Sequence, residues 1–313
     1  MDFRLQSVPL LSRVGADRAG QLRTDAQATA AGWAQAAVLR VDSRNQVLVA
    51  GGRVVLDPAI EVADEPPPEA VFLGRIEGGR HVWAVRSPVA APGEGDMGAE
   101  VADIRRAGQL FDDVSAQLVA SAVALLNWHD SARYSAVDGL PTTPTRAGWS
   151  RTNPITGHEE FPRIDPAVIC LVHDGGNRAV LARQRSWPAG RFSLLAGFVE
   201  PGESLEACVV REVREEIGLA VRDVRYLGSQ PWPFPRSLMI GFHAIGDPDQ
   251  GFSFNDAEIA EAAWFTRGEV RAALDAGDWG SASESGLRLP GVASIARAII
   301  ESWAAMDRET AQP

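Results

Sequence analysis

Lysine is absent from this 313-residue chain, and all 30 basic residues are arginine. A phosphate loop of the Gly-x4-Gly-Lys type is therefore excluded, because its lysine makes the phosphate contact. Cysteine is scarce as well. Cys170 and Cys208 are too few for a disulfide framework, which leads to the expectation of a reducing, cytoplasmic compartment. No apolar run approaches the ~20 residues of a membrane span, and MDFRLQSVPLLSR lacks the apolar centre of a signal peptide. The five histidines, His81, His129, His158, His173 and His243, have no metal-ligand spacing. Neither a Gly-x-Gly-x-x-Gly turn after a strand nor a Gly-x-Ser-x-Gly elbow occurs, so Rossmann and serine-hydrolase readings lose support. Positive charge is in deficit. The net charge of −11 argues against an affinity resting mainly on a nucleic-acid backbone, though one end of a long substrate could still enter a pocket.

What is present is concentrated between Gly197 and Leu219, GFVEPGESLEACVVREVREEIGL. The spacing predicts a loop delivering Glu203, then a helix capped by Ser204 and ended by Gly218. Glu212, Glu215 and Glu216 fall at i, i+3 and i+4 and share one arc of that helix. Leu205, Val209, Val213 and Ile217 form a neighbouring stripe that must face a core. Like charges crowded beside a buried face repel, and hard divalent cations bound through carboxylate oxygens would relieve them. Arg211 precedes Glu215 by one helical turn and is placed to pin that carboxylate.

The stretch matches Gly-x5-Glu-x7-Arg-Glu-U-x-Glu-Glu-x-Gly-U at every specified position, and on that ground it resembles the Nudix hydrolases. The resemblance implies cleavage of a pyrophosphate with Mg2+ or Mn2+. Glu212, Glu215 and Glu216 would be metal ligands, and Glu216 or Glu215 also the base. Glu203 would support the loop. Beyond the box, Ser229-Gln230-Pro231-Trp232-Pro233-Phe234-Pro235-Arg236-Ser237 holds two aromatics on a proline-stiffened backbone. This SQPWPFPxS pattern is similar to that of the NADH pyrophosphatase subfamily. There the segment corresponding to Gln230 through Pro231, Trp232, Pro233, Phe234, Pro235 and Arg236 to Ser237 lines the dinucleotide pocket. The same resemblance places Glu258 at the metal, Ala196 at substrate and metal, and Phe198 on the nicotinamide. It also brings the Ala296 backbone to substrate, and Phe161 into the pocket across a homodimer interface.

Residues 1–130 read as a separate N-terminal α/β domain, a scaffold for dimerisation. Short strands fall at Ala37–Val41, Gln46–Val49, Arg53–Leu56, Val71–Arg75 and His81–Val85, and helical spacing runs from Val101 to Trp128 with a break near Asp112. Loops are expected from Glu61 to Glu69 and from Ala90 to Gly98. Residues 131–162 align with the subfamily's zinc ribbon, but Ser135, Asp138, Asn153 and Thr156 stand where its four cysteines would be. No zinc is expected there, and the ribbon path is expected to be held by side-chain hydrogen bonds. Residues 163–313 carry the box and are expected to form a Nudix α/β/α sandwich.

The resulting expectation is an enzyme that hydrolyses NADH and NAD+ to AMP plus NMNH or NMN. Removal of NAD caps from RNA 5′ ends is a variant of the same bond cleavage, ranked second because of the acidic charge. The alternatives are a non-catalytic Nudix-fold sensor of NAD-type ligands and a Nudix hydrolase for ADP-ribose. The first would tolerate a degenerate box, which this is not; the second leaves Gln230 to Ser237 unexplained.

Overall fold

The computed structural model describes residues 3–92, 98–107, 111–254, 258–280 and 286–306. Two compact units result. One comprises Met1–Leu10, Asp165–Gln230 and Ser237–Pro313, the other Leu11–Ile164 with Pro231–Arg236.

In the second of these, the N-terminal part runs α1 (Ala26–Ala31), β1 (Ala37–Val41), β2 (Gln46–Ala50), β3 (Arg53–Val54), β4 (Asp57–Pro58), β5 (Val71–Arg75), β6 (His81–Arg86), β7 (Ala99–Asp103), α2 (Ile104–Ala107) and α3 (Asp113–Ser131). The sheet order is β4-β1-β6-β5 with β1 and β6 parallel, and β2 sits between β3 and β7 in a smaller sheet. Gly78 and Gly79, both at φ 75°, make the turn between β5 and β6 that the Glu77-Gly-Gly sequence foretells. Helical spacing misleads at one place. Val101–Asp103 belongs to β7, which pairs antiparallel with β2 from Ala99↔Ala50 to Asp103↔Gln46, so sheet pairing overrides the local periodicity. Asp112, where the break was expected, caps α3 by accepting from the Ser115 N–H at 2.8 Å. Residues 108–110 of that stretch, and 93–97 of the expected loop, lie outside the described residues.

The same unit contains the ribbon, strands β8 (Thr143–Thr145), β9 (Ser150–Thr152) and β10 (Glu159–Glu160) in the order β10-β9-β8. Its two turns are held by the residues that replace cysteines. Ser135 Oγ accepts from Val137 N–H at 3.2 Å, and Asp138 Oδ1 from Leu140 N–H at 2.9 Å. Asn153 Oδ1 accepts from Ile155 N–H at 2.9 Å and Thr156 N–H at 3.3 Å. Asn153 Nδ2 then donates across to Asp138 Oδ2 at 2.9 Å, tying one turn to the other. Hydroxyl, carboxylate and amide groups in these roles do not fit the thiolate chemistry of a structural zinc site. Because Asn153 is fully buried, Asn153→Ala removes three hydrogen bonds at once and should cost about 2 kcal/mol. A thermal melt should show this unit's transition lowered by about 5 °C; an unchanged transition would contradict the account.

The box-bearing unit follows as β11 (Asp165–His173), β12 (Arg178–Gln184), β13 (Leu195–Phe198), α4 (Leu205–Ile217), β14 (Val221–Trp232), β15 (Ser237–Gly246), β16 (Ile259–Thr266), α5 (Arg267–Asp275) and α6 (Ile295–Ala304). The sheet order is β14-β15-β11-β12-β16, with β13 paired to β11. Alternation sorts β11 into two faces. Val168, Cys170 and Val172 pack with Val209, Val213 and Ile217 of α4, whereas Ile169 and Leu171 pack with Val270 of α5 and Ile299 and Trp303 of α6. Helices therefore cover both faces of a mixed sheet, an α/β/α sandwich. Both cysteines lie buried in the α4-side core and are free thiols. Strand β14 is longer than its apolar residues announce. It extends through Ser229, Gln230 and Pro231 to Trp232, and the proline-rich motif is thus half strand and half turn. No helix among the described residues is long and apolar enough to cross a membrane.

One buried pair makes this unit sensitive to acid. His173 Nδ1 accepts from the Gly175 N–H at 3.0 Å, so its proton sits on Nε2 and is donated to His243 Nδ1 at 3.1 Å. Phe3 lies against the His243 ring, with centroids 4.7 Å apart. Burial, then the neighbouring His243, lowers the His173 pKa to about 4. Between that value and the unfolded 6.5 the unfolded chain binds more protons, so stability is complete above pH 6.5 and falls as pH drops toward 4. The loss should reach roughly 3 kcal/mol. Urea midpoints compared at pH 7 and 5 should show it, and His173→Phe should flatten the slope; parallel slopes would remove His173 as the cause.

Candidate active site

Ser204 begins α4 by accepting from the Ala207 N–H at 3.2 Å, and Gly218 closes it in the left-handed region at φ 72°. The helix is thereby fixed at both ends, with Val209, Val213 and Ile217 sunk in the core. Glu216, on the edge of that stripe, is only 3% exposed.

Arg211 organises the other acids. Its Nε and Nη2 grip Glu203 in a two-pronged pair at 2.8 and 2.9 Å. Nη1 donates to Glu212 Oε1 at 2.8 Å and Glu215 Oε2 at 3.0 Å, and Nη2 also reaches the Phe198 carbonyl at 2.9 Å. The expected contact with Glu215 is thus one of several. Glu203 in turn accepts from the Glu200 N–H at 3.1 Å, which fastens the loop before the helix. The bond from Arg211 holds the Glu203 pKa down to about 2 and drives that of the guanidinium upward. Glu212 moves the other way. Burial raises its pKa against the pull of Arg211. Burial first, then the hydrogen bond with Glu203, pushes the Cys208 thiol up to about 12, which leaves it inert.

The seat of Glu212 is made by a missing side chain. A Cβ on Gly197 would stand 1.9 Å from the Glu212 carboxyl carbon, so β13 admits the carboxylate only where it carries glycine. Ala196 and Phe198 flank that residue on β13, Ala196 partly buried and the Phe198 ring 59% exposed.

Glu258 is not among the three carboxylates that Arg211 holds. Its Oε1 accepts from Gln184 Nε2 at 2.7 Å, and its carbonyl from the Arg185 N–H at 2.9 Å. A register shift between Arg183 and Gln184 where β12 meets β16 turns Gln184 toward it. The next residue, Ile259, belongs to the core cluster that receives Val213 and Ile217, which brings this segment to the flank of α4. Among the described residues, no three His, Cys, Asp or Glu side chains are gathered closely enough to hold a metal ion. Glu212, Glu215, Glu216 and Glu258 are therefore not drawn into one cluster; Arg211 holds two of the four. Asp256 and Ala257, in the same acidic segment, lie outside the described residues.

Of the aromatic motif, Gln230 is wholly buried, its Nε2 bonded to the Ala293 carbonyl at 2.9 Å, so its side chain braces the approach to α6. Ala296 is buried and its N–H donates to Ser294 Oγ at 3.2 Å, part of that helix's cap. In the other unit, Trp232 and Phe234 meet edge to face at 5.1 Å, Arg105 covers the Phe234 ring at 4.5 Å, and Asn127 donates to the Pro233 carbonyl at 3.3 Å. Phe161 there is 55% exposed, with Arg146 over its ring at 5.8 Å. Pro231 lies in the last part of β14, Pro235 and Arg236 complete the turn, and Ser237 begins β15. Gln184 and Arg185 escaped the sequence reading, since a bulge in strand pairing leaves no local mark.

Residues 163–283 match the NUDIX domain model, and residues 30–128 match an NADH pyrophosphatase-like rudimentary NUDIX domain. Over 307 residues, 98% of either chain, the sequence is 75% identical to the NAD-capped RNA hydrolase NudC of Mycobacterium bovis (strain BCG / Pasteur 1173P2). The chain belongs to the Nudix family, in its NADH pyrophosphatase branch. The protein of the same name from Mycobacterium tuberculosis (strain ATCC 25177 / H37Ra) is 74% identical over the same span. The mouse mitochondrial NAD(P)H pyrophosphatase NUDT13 is 41% identical over 217 residues, 67% of this chain and 61% of its own. The rudimentary domain adds something the N-terminal residues do not announce. They carry no box, yet they match the rudimentary domain, and β1 and β6 run parallel as β11 and β15 do.

Proposed function

We propose that this Nudix hydrolase cleaves the pyrophosphate of NADH and NAD+ to AMP plus NMNH or NMN, and removes NAD caps from RNA 5′ ends. The observation behind the reading is an unbroken set of box carboxylates, with Glu212 seated over Gly197 and Arg211 fixing its neighbours. Substrate choice is supported by relatives named for NAD-capped RNA and NAD(P)H. The acidic balance is a poor guide to the order of the two substrates, because a capped RNA can be anchored through its dinucleotide end.

Glu212, Glu215, Glu216, Glu258 and the Ala196 backbone offer hard oxygen donors, which suit Mg2+ or Mn2+. Such an ion supplies charge neutralisation on phosphate oxygens and a more acidic water. Glu216 or Glu215 acts as the base. Arg211 keeps Glu212 and Glu215 oriented, and Glu203 keeps Arg211 in place. Phe198, the Ala296 backbone and the segment from Gln230 through Trp232 and Phe234 to Ser237 form the dinucleotide site, with Phe161 reaching in from the second copy of a homodimer. Residues 1–130 serve that dimer as scaffold, 131–162 link it, and 163–313 hold the chemistry. Two buried free thiols suit the cytoplasm.

A kinetic panel of NADH, NAD+, ADP-ribose and NAD-capped RNA with Mg2+ or Mn2+ tests the reading. Turnover of NADH and capped RNA well above ADP-ribose is expected; failure to cleave either would defeat it. Light scattering should give the mass of two chains, and a monomer would remove Phe161 from the site.

A further inference from the structure

On the outer flank of α4 lies an open cavity of about 1030 Å3, lined by Ala207, Val210, Arg214 and Val224 and bordered by Arg211 and three carboxylates, Glu203, Glu206 and Glu215. Ala207, Val210, Arg211 and Arg214 are at i, i+3, i+4 and i+7, one stripe of the helix. It runs beside the carboxylate arc and opposite the buried stripe, so the cavity opens directly next to the centre described above. Its floor is apolar yet accessible, with Val210 40% exposed. Tyr226 lies two residues beyond Val224 on β14, hence on the same strand face, and is 60% exposed with its ring edge-on to Phe242 at 5.9 Å.

The cation over this floor is uncommitted. In this unit Arg178 pairs with Asp174, Arg183 with Glu261, Arg222 with Asp223 and Arg297 with Glu301, while Arg211 serves three carboxylates. The Arg214 guanidinium makes no ion pair or hydrogen bond among the described residues. Of the three acids in the lining, Glu203 and Glu215 are paired with Arg211, and Glu206 stands eight residues before Arg214, roughly 12 Å away along the helix. An accessible apolar floor with a free guanidinium above it suits a nucleotide, its base on the floor and its phosphate on the cation. Stacking on an apolar floor and a charge contact to the backbone are the same for every base, so the recognition expected there is independent of sequence.

We propose that this cavity is the subsite for the RNA body just downstream of the cap, with Arg214 on a backbone phosphate and Val210, Val224 and Tyr226 beneath a base. The proposal rests on the hydrolase reading above and extends it. Free NADH ends at its two nucleosides and has nothing to place there. A capped RNA continues from the adenosine ribose and does.

The test compares kcat/KM on NADH and on a short NAD-capped RNA for the full-length protein, Arg214→Ala and Tyr226→Ala. Arg214→Ala should lower kcat/KM on capped RNA about tenfold, the worth of one charge-assisted hydrogen bond. On NADH it should stay within about twofold, because that substrate does not reach the cavity. Anisotropy of labelled capped RNA in EDTA gives a readout without turnover, in which Arg214→Ala should lessen the salt slope by about 0.7. Arg214 also sits in the last turn of α4, where a cation favours the helix dipole. That role alone would lower the melting temperature and leave the substrate ratio and salt slope untouched, which would overturn the subsite. So would equal losses on both substrates, or wild-type protein that cleaves NADH and ignores capped RNA. A wild type that cleaves neither sinks the hydrolase reading itself.

Discussion

Gly197→Ala is expected to remove most turnover while leaving the fold almost unchanged. The added methyl group would stand 1.9 Å from the Glu212 carboxyl carbon and 2.1 and 2.3 Å from its oxygens. Something must move, and the mobile party is the end of a flexible side chain. Backbone strain does not enter, because Gly197 lies outside the positive-φ glycines. Glu212 therefore swings away from β13, and its bond to Arg211 goes with it. If Glu212 is the metal ligand proposed, a displacement of an ångström or more costs on the order of 10²-fold in rate. The melting temperature should stay within about 2 °C, since no buried apolar contact is lost. Steady-state kinetics on NADH beside a thermal melt decides the matter. Wild-type kcat would show that Glu212 is not needed where it sits, and a collapsed melt would show that Gly197 serves packing.

The box helix was legible because its signals are local. Capping by Ser204, the stop at Gly218 and the four-residue stripe each follow from spacing along one helix, and the structure repeats them. The two faces of the sheet, by contrast, show only in the packing, since β11 is apolar on both sides and its sequence does not mark which residues meet α4 and which meet α6. The signal failed where pairing between distant strands decides the outcome. Val101–Asp103 carries helical spacing, but β2 offered it a partner, and β14 runs on through Gln230 to Trp232 although a proline lies inside it. Proline is tolerated there because β14 is an edge strand of its sheet.

The site divides in the same way. Arg211 was assigned one carboxylate from its one-turn spacing to Glu215, whereas the contacts with Glu203 and with the Phe198 carbonyl depend on how the preceding loop folds back. Glu258 is held by Gln184 across a register shift, which no reading of either segment alone could supply. The ribbon is the opposite case. Four polar residues at cysteine positions told that thiolate ligation was gone, and the direct Asn153–Asp138 bond shows what replaced the cross-link.

Glu216→Gln separates an enzyme from a ligand sensor built on the same fold. The substitution keeps the shape of a side chain that is 3% exposed and removes only its charge and basicity. If Glu216 works on the attacking water or holds a cation, kcat should fall about 10³-fold, within the range for loss of a positioned acid or base. Affinity for NADH should hold within a few-fold if the dinucleotide binds at the proposed site, which does not include Glu216, and the fold should survive because three carboxylates at i, i+3 and i+4 repel less when one is neutral. Equilibrium binding of NADH without added metal, measured beside kcat, distinguishes the cases. A sensor would show little change in either quantity. Loss of binding together with activity would instead place Glu216 in the architecture of the pocket, and the catalytic role would pass to Glu215, whose carboxylate is 57% exposed and held by Arg211 at 3.0 Å.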